Sequence, residues 1–532
     1  MPITTKHRYL LPLILFFALV IRSIGLNHYP ALNPDEAALG YNAYSILTTA
    51  RDEHGHFLPL HLLSFGDSKP AGYTYLAIPF VAILGLTPLA VRLPNLIFSI
   101  LSIYFIYRLV ILSTKDRTLA LISALILSFN PWHIHFSRGA WEANTALSLV
   151  LLATLLVQSR RIFPASIIFV LSTYFYHSAR IYAPLLFFYL LYLQLRSRSI
   201  SFKSLTSPAI ICILLAVPVL YSFATSGGAS RFSGVGLFAD TGPLNRSEEL
   251  LNQDASTSLD KRLIHNRRVQ YLLAWTDKYL WHFNPNFLFV DGDTVPRSKS
   301  PEVGQFHLLE FIPLLIGIPA LLHISRPFFN LTLFLTLISP LAASLTFQSP
   351  SALRALPLVI PLTIFISAGY RQILLVIARY SRPLSTTALV LLSSVWLYFN
   401  IYYLDSYFIH QEKRYPFAWN SRFDQAVAYL QDHSASYDHI YFTNHYDQPY
   451  ILYLFYTKYP PRQIQSQIKL TTPDHFGFST VRQIDNITFG IPHWDSIPEH
   501  SLIIAGNETM PISPASTILF SNQQPGFNIY TK

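Results

Sequence analysis

Apolar runs fill most of the first four hundred residues, broken at short intervals by polar turns. A helix that crosses a membrane needs about 20 mainly apolar residues, within a range of about 17–25. Runs close to that length lie at 10–26, 93–112, 118–136, 143–158, 163–179, 182–195, 208–224, 308–323, 328–346, 355–370 and 384–402. The pattern predicts an α-helical polytopic membrane protein of about eleven transmembrane helices, with a range of about 10–13. A further stretch, 73–90, is apolar but carries Pro79, Gly85 and Pro88, so it either spans or lies along the interface.

Beyond residue 402 the period changes. RFDQAVAYLQDH has helical spacing, DHIYFT reads as a strand, QPYILYLFYTKY as a helix and SLIIAG as another strand. Helix alternating with strand predicts a small α/β unit over 403–532. It has no Gly-rich phosphate loop, and no chemistry is assigned to it. The expected organisation is a transmembrane catalytic domain, 1–402, with outer loops 27–92 and 225–307, followed by an extracytoplasmic domain, 403–532.

Charge decides the reading of 73–90. If it does not span, Lys6 and Arg8, Lys115 and Arg117, Arg160 and Arg161, Arg196, Arg198 and Lys203, Arg326, and Arg371, Arg379 and Arg382 all fall on one side. Positive residues concentrate on cytoplasmic loops, and a span at 73–90 would break that bias. The stretch is therefore read as an interfacial helix or helix pair. The N-terminus is then cytoplasmic, and 27–92, 133–142, 225–307, the turn around Arg354 and the C-terminal unit share the outer side.

Composition agrees with the membrane reading. Hydrophobic residues make up 51% of the 532 and charged residues 12%, against about 25% charged in soluble domains. The mean hydropathy is +0.34. The formal charge of +10 sits in short loops between spans. Membrane lipid rather than nucleic acid is the expected partner. The single cysteine, Cys212, excludes an intrachain disulfide and any CxxC metal site. MPITTKHRY before the first apolar run reads as a retained signal anchor. The expected location is the plasma (inner) membrane.

The candidate chemistry gathers on the outer side. NPDEAALGY places Asp35 and Glu36 just past the first span, and GDSKPAGY places Lys69 and Tyr73 on the same loop. A carboxylate can take a proton from a hydroxyl, and a lysine can neutralise a phosphate. The alternative is that the acidic pair caps a helix that Pro34 begins. HFSRGAWEANTAL brings Arg138 and Glu142 to the turn before the fourth span, as a local ion pair or as cavity lining. Arg354 could bind phosphate or snorkel to the interface. His54 with His56, and His133 with His135, could bind a divalent metal but match no standard zinc spacing; they are read as surface or interfacial histidines, and no cofactor is firmly predicted. The aromatic loop YLLAWTDKYLWHFNPNFLFVDGD could anchor to headgroups or form a platform for sugars.

The order of NPDE, SKPAGY, FSRGAWEAN and ALRALP over residues 1–400 resembles the polyprenyl-phosphate-dependent glycosyltransferases of the GT-C fold. Within that group it is most similar to the protein O-mannosyltransferases and the aminoarabinose transferase that modifies lipid A. The resemblance implies a polyprenyl-monophosphate-linked sugar donor, a hydroxyl acceptor on protein, glycan or lipid, and inversion at the anomeric carbon. It implies Asp35 as base, with Glu36 orienting it or sharing its role. It also implies Lys69 on the donor phosphate and Glu142 shaping the site. Two departures stand out: Ala38 replaces an arginine of the aminoarabinose transferase, and Glu142 replaces an aspartate. Arg138 and Arg354 are the candidates for the missing phosphate contact. The rivals are a lipid-linked sugar flippase and an oligosaccharide ligase with a diphosphate-linked donor.

Overall fold

The structure, a computed structural model, describes residues 9–225, 236–254, 259–474 and 478–532. Lys6, Arg8 and parts of the 225–307 loop lie outside the described residues. In chain order the elements begin α1 (Leu10–Ser23), α2 (Pro34–Thr49), β1 (His61–Ser64), β2 (Asp67–Pro70), α3 (Gly72–Leu84) and α4 (Pro88–Thr114). Then come α5 (Arg117–Phe129), α6 (Pro131–Ser137), α7 (Glu142–Gln158), α8 (Ile162–Ser172), α9 (Ala179–Arg196) and α10 (Thr206–Thr225). After the 225–307 loop follow α11 (Phe311–Ile324), α12 (Arg326–Ile338), α13 (Val359–Ile377) and α14 (Arg382–Asp405).

Every predicted apolar segment carries a helix, though the boundaries differ. The second begins at Pro88 rather than 93, because proline suits a first helical turn. The third is bent by 58° where Asn130 and Pro131 interrupt it. Among the described residues, five helices are long and apolar enough to cross a membrane, or six with the bent pair counted as one. Five more are apolar but shorter. The 73–90 stretch is the 13-residue α3, ended by Gly85 at φ 71, and the start of α4. Thirteen residues at about 1.5 Å each give roughly 20 Å, short of a hydrocarbon core of about 30 Å.

The chain divides into two compact units. One comprises residues 1–18, 99–136 and 146–403 and holds most of the apolar helices. Its tightest pairing is α11 on α13. A Cβ on Gly317 would collide with the Phe365 carbonyl, and one on Gly369 with the Pro313 carbonyl. Small residues let helix backbones approach where apolar burial alone gives no preference between lipid and protein.

The other unit comprises residues 19–98, 137–145 and 404–532. It contains a six-stranded sheet of β3 (His439–Phe442), β4 (Gln483–Ile484), β5 (Ile487–Phe489), β6 (Ser501–Ala505), β7 (Ser516–Leu519) and β8 (Pro525–Thr531). The order is β4-β5-β3-β6-β8-β7, with the two central pairings of β3 parallel and the outer ones antiparallel. The strands expected from DHIYFT and SLIIAG are β3 and β6, and β6 is buried along its whole length. The expected helices are α15 (Phe423–His433) and α16 (Pro449–Thr457), followed by α17 (Pro461–Gln467). Helix α16 packs on α2. A Cβ on Gly40 would lie 2.5 Å from Val91 and 2.7 Å from Phe455, so only glycine permits this approach. Tyr41 donates its hydroxyl hydrogen to the Tyr459 carbonyl at 2.9 Å. The Gln465 amide donates to Ser45 Oγ at 3.1 Å, Thr49 Oγ1 at 2.9 Å and the Asp52 carbonyl at 2.9 Å.

Replacing Gly317 by valine should destabilise the first unit by about 1–3 kcal/mol or more, the usual result of overpacking. Thermal melts in detergent check this, with Ile318→Val, 40% exposed on the same helix, as the near-neutral control.

Candidate active site

Asn33 starts α2. Its side-chain oxygen accepts from the Glu36 amide at 3.1 Å, and Glu36 Oε2 accepts in return from the Asn33 backbone N–H at 3.4 Å. This is a capping box, with Pro34 in the first turn. A helix advances about 100° per residue, so neighbours in the acidic pair face different ways. Glu36 points inward and is 1% exposed. Asp35 points outward, its side chain 44% exposed.

Glu36 meets Arg92 in a fork. Arg92 Nε donates to Oε1 at 2.8 Å and Nη2 to Oε2 at 2.8 Å, with Arg92 fully buried. Arg92 also donates to the Leu26 carbonyl at 2.9 Å and the Ala31 carbonyl at 3.3 Å. The Ala140 amide donates to Glu36 Oε1 at 2.7 Å, which ties the short turn before α7 to α2. Asn95 reinforces that turn by donating to the Gly139 carbonyl at 2.6 Å while accepting from Asn144 at 2.9 Å. Paired charges with satisfied lone pairs are the form in which a buried carboxylate persists. The capping reading of the pair thus describes Glu36, and Asp35 is left at the surface.

Lys69 reaches Asp35 from a β-hairpin. Strands β1 and β2 pair antiparallel with Leu62 opposite Lys69, and the two-residue turn between them is Phe65-Gly66, at φ 58 and 80. Two positive φ values are what a type I′ hairpin turn requires. The Phe65 ring is held in this position at 6.2 Å, edge-on, from Tyr450 of α16. Lys69 Nζ lies 5.1 Å from the Phe65 ring centroid and forms an ion pair with Asp35 Oδ1. Burial alone would lower the Lys69 pKa. The Asp35, Glu142 and Asp67 carboxylates outweigh that and hold it above the ordinary lysine value. Lys69 is therefore an ammonium facing several carboxylates, and its side chain is 16% exposed.

The remaining predicted residues divide. Glu142 opens α7 within electrostatic reach of Lys69. Tyr73 is buried and donates to the Val91 carbonyl at 2.8 Å. Arg138 is fully buried, and its guanidinium donates to the carbonyls of Ile21 at 2.8 Å, Arg22 at 2.9 Å, Ile24 and Tyr29 at 3.2 Å. It also lies 4.6 Å from the Phe408 ring. It clamps the backbone where α1 ends and the segment just after it. Ala38, where an arginine was expected by resemblance, is 1% exposed and faces inward, a place unfit for an unpaired guanidinium. Arg354 belongs to the other unit, where it donates to the Gln348 carbonyl at 3.3 Å and influences buried Asp293.

The histidines have other partners. His56 bonds Asp52 at 3.0 Å, His54 bonds the Leu63 carbonyl at 2.9 Å, and His135 bonds the Arg297 carbonyl at 2.8 Å. Among the described residues no three His, Cys, Asp or Glu side chains converge as a metal site would need. Arg92 is the residue the sequence reading passed over. Its signal was a lone arginine beside an apolar span, which needs a partner.

Comparison with solved structures finds a match along nearly the whole chain. ArnT from Cupriavidus metallidurans in the apo state is similar with a TM-score of 0.53 at 11% identity, over 93% of this chain and 92% of that one. The same protein bound to undecaprenyl phosphate matches with a TM-score of 0.52 at 11% identity, over 87% and 86%. The oligosaccharyltransferase AglB from Archaeoglobus fulgidus, in complex with an inhibitory peptide and a dolichol-phosphate, gives 0.48 at 12% identity, over 85% and 64%. No family model and no curated protein matches the chain. The chain has the GT-C fold of ArnT, as the resemblance implied: a multi-pass membrane protein with a small C-terminal sheet.

Arg92→Met leaves Glu36 buried without its partner. It should cost about 3–5 kcal/mol, as breaking a buried pair does, and the double variant Glu36→Gln/Arg92→Met should recover part of that. Melting temperatures of the purified variants check both.

Proposed function

We propose that this protein is a membrane glycosyltransferase that moves a sugar from a polyprenyl-monophosphate donor to a hydroxyl acceptor on the extracytoplasmic face. The observation that carries this reading is the Lys69–Asp35 pair at an accessible position, in a chain with the fold of a protein that binds undecaprenyl phosphate. A lysine and an acid placed together suit a reaction whose leaving group is a phosphate and whose nucleophile must lose a proton.

Asp35 acts as the base and Lys69 as the ligand of the donor phosphate. The donor's anionic phosphodiester competes with Asp35 for the ammonium and so releases the carboxylate to meet the acceptor. The acceptor oxygen then attacks the anomeric carbon and its proton passes to Asp35. The bond from anomeric carbon to phosphate oxygen breaks, and the lipid phosphate departs with the electron pair beside Lys69. Attack opposite the leaving group inverts the anomeric centre. Glu142 shapes the electrostatics of this site. Glu36, Arg92, Arg138 and Tyr73 form the framework that holds it. The catalytic machinery needs no metal in this reading. The membrane is the plasma (inner) membrane, with the N-terminus cytoplasmic and the C-terminal α/β region outside.

The test is a transfer assay in lipid nanodiscs with a panel of radiolabelled polyprenyl-monophosphate sugars. Wild type should move label from one donor, and Asp35→Asn should lose about 10²–10⁴-fold in turnover while keeping its melting temperature, the range for removing a general base. Lys69→Ala should weaken donor binding as well as rate. Wild-type turnover by Asp35→Asn would overturn the assignment of the base. Movement of labelled lipid between leaflets without transfer would replace the enzyme with a flippase, and transfer only from a diphosphate-linked donor would make it a ligase.

A further inference from the structure

The tip of the hairpin that carries Lys69 holds a residue its backbone does not favour. Phe65 sits at φ 58, in the left-handed region. Glycine and asparagine take that conformation readily, and a bulky aromatic residue there is an outlier. Gly66 beside it meets the same demand without a side chain. Strained positions persist where the surroundings fix them, and they gather at active sites and ligand clamps.

Two contacts from the C-terminal segment fix Phe65. The Ser479 amide donates to its carbonyl at 2.8 Å. The Tyr450 ring meets its ring edge-on, with 82° between the planes. Phe65 is 6% exposed as a result. The base of the hairpin is held as well. Leu62 is buried in one cluster with Ile46 and Ala71, and His54 Nε2 bonds the Leu63 carbonyl at 2.9 Å. The strained ring therefore has a set place, and Lys69 Nζ lies over it, 5.1 Å from the centroid. That is within the ~6 Å over which an aromatic face attracts a cation.

We propose that Phe65 is a positioning residue for Lys69: its ring is an uncharged partner of the ammonium and holds it where it meets the donor phosphate. The proposal rests on the reading of Lys69 as the phosphate ligand. A lysine side chain is long and flexible. Asp35 pairs with it, but the Asp35 side chain is 44% exposed, and an exposed ion pair holds a long side chain only weakly. In the proposed reaction the ammonium also gives up Asp35 to the acceptor. The ring stays attractive through that exchange. Because it has no net charge, it leaves the full positive charge of Lys69 to the phosphate, whereas a carboxylate in its place would neutralise it.

A purely structural Phe65 would act through bulk alone, filling the space beside Tyr450. The two roles differ in what they ask of the ring. Bulk depends on shape, and attraction to a cation depends on the electron density of the ring face. Without the attraction, fewer molecules have the ammonium in place, and the apparent Kd for a phosphate ligand rises as that fraction falls.

The experiment uses the full-length protein in nanodiscs with a polyprenyl methyl phosphodiester as probe. Phe65 is replaced in turn by mono-, di- and trifluorophenylalanine, which withdraw electron density from the ring face and nearly keep its shape. Kd should rise stepwise with fluorine count, by about 2–30-fold in all, while the melting temperature holds. Phe65→Leu, apolar but without a ring face, should weaken binding to a similar degree. Labelling of Lys69 by an amine-reactive reagent, read by mass spectrometry, should rise along the same series. A Kd that ignores fluorine count while Lys69→Ala weakens binding would overturn the role of Phe65 and leave Lys69 as the phosphate ligand. If Lys69→Ala binds the probe as tightly as wild type, the phosphate reading itself fails. The labelling series then decides on the ring alone: a rise with fluorine count supports its hold on the ammonium, and a flat series overturns it.

Discussion

The buried Glu36–Arg92 fork is the constraint on which the candidate site depends. It joins the start of α2, the start of α4 and the turn before α7, three segments that are distant in sequence. Two adjacent carboxylates on one helix turn would repel if both stayed near the surface. Anchoring one of them inward fixes the helix rotation, and the other is then presented outward by about 100° of helical twist. The reactive candidate owes its position to a neighbour that has no freedom to react. Arg138 makes a comparable contribution with the opposite charge, since it gathers the carbonyls left open where the first helix ends.

The C-terminal segment is part of the same arrangement. Helix α16 and the residues after it meet α2 through Tyr459 and Phe455, and meet the 45–52 turn through Gln465. Tyr450 steadies Phe65, whose ring in turn lies under the Lys69 ammonium. A region with no reactive group of its own in the proposed mechanism therefore sets the shape of the loop that has them. The close approach at Gly40 makes that packing intolerant of any side chain.

Much of this was legible in the sequence where the signal is local. Apolar length gave the helices, period gave α15, α16, β3 and β6, and the short motifs drew attention to Asp35, Lys69 and Glu142. What was not legible depends on contacts between distant segments. The division of labour between Asp35 and Glu36 needs Arg92, which read only as a charge beside a span. Arg138 resembled a ligand because its four carbonyl partners are backbone and leave no mark in composition. The hairpin of β1 and β2 was hidden because Phe65 occupies a left-handed position that asparagine or glycine usually fills.

The bond between Tyr41 and Tyr459 spans 418 positions. A ribosome adding about 5–20 residues per second needs roughly 20–80 s to cover that distance. During that time α2 has left the ribosome while its packing partner has not yet been made. The loop bearing Asp35 and Lys69 is therefore synthesised well before the segment that completes its packing. A chain truncated before α16 would lack the packing partner of α2, so the shape of that loop is set only once the residues from α16 to Gln465 have been made.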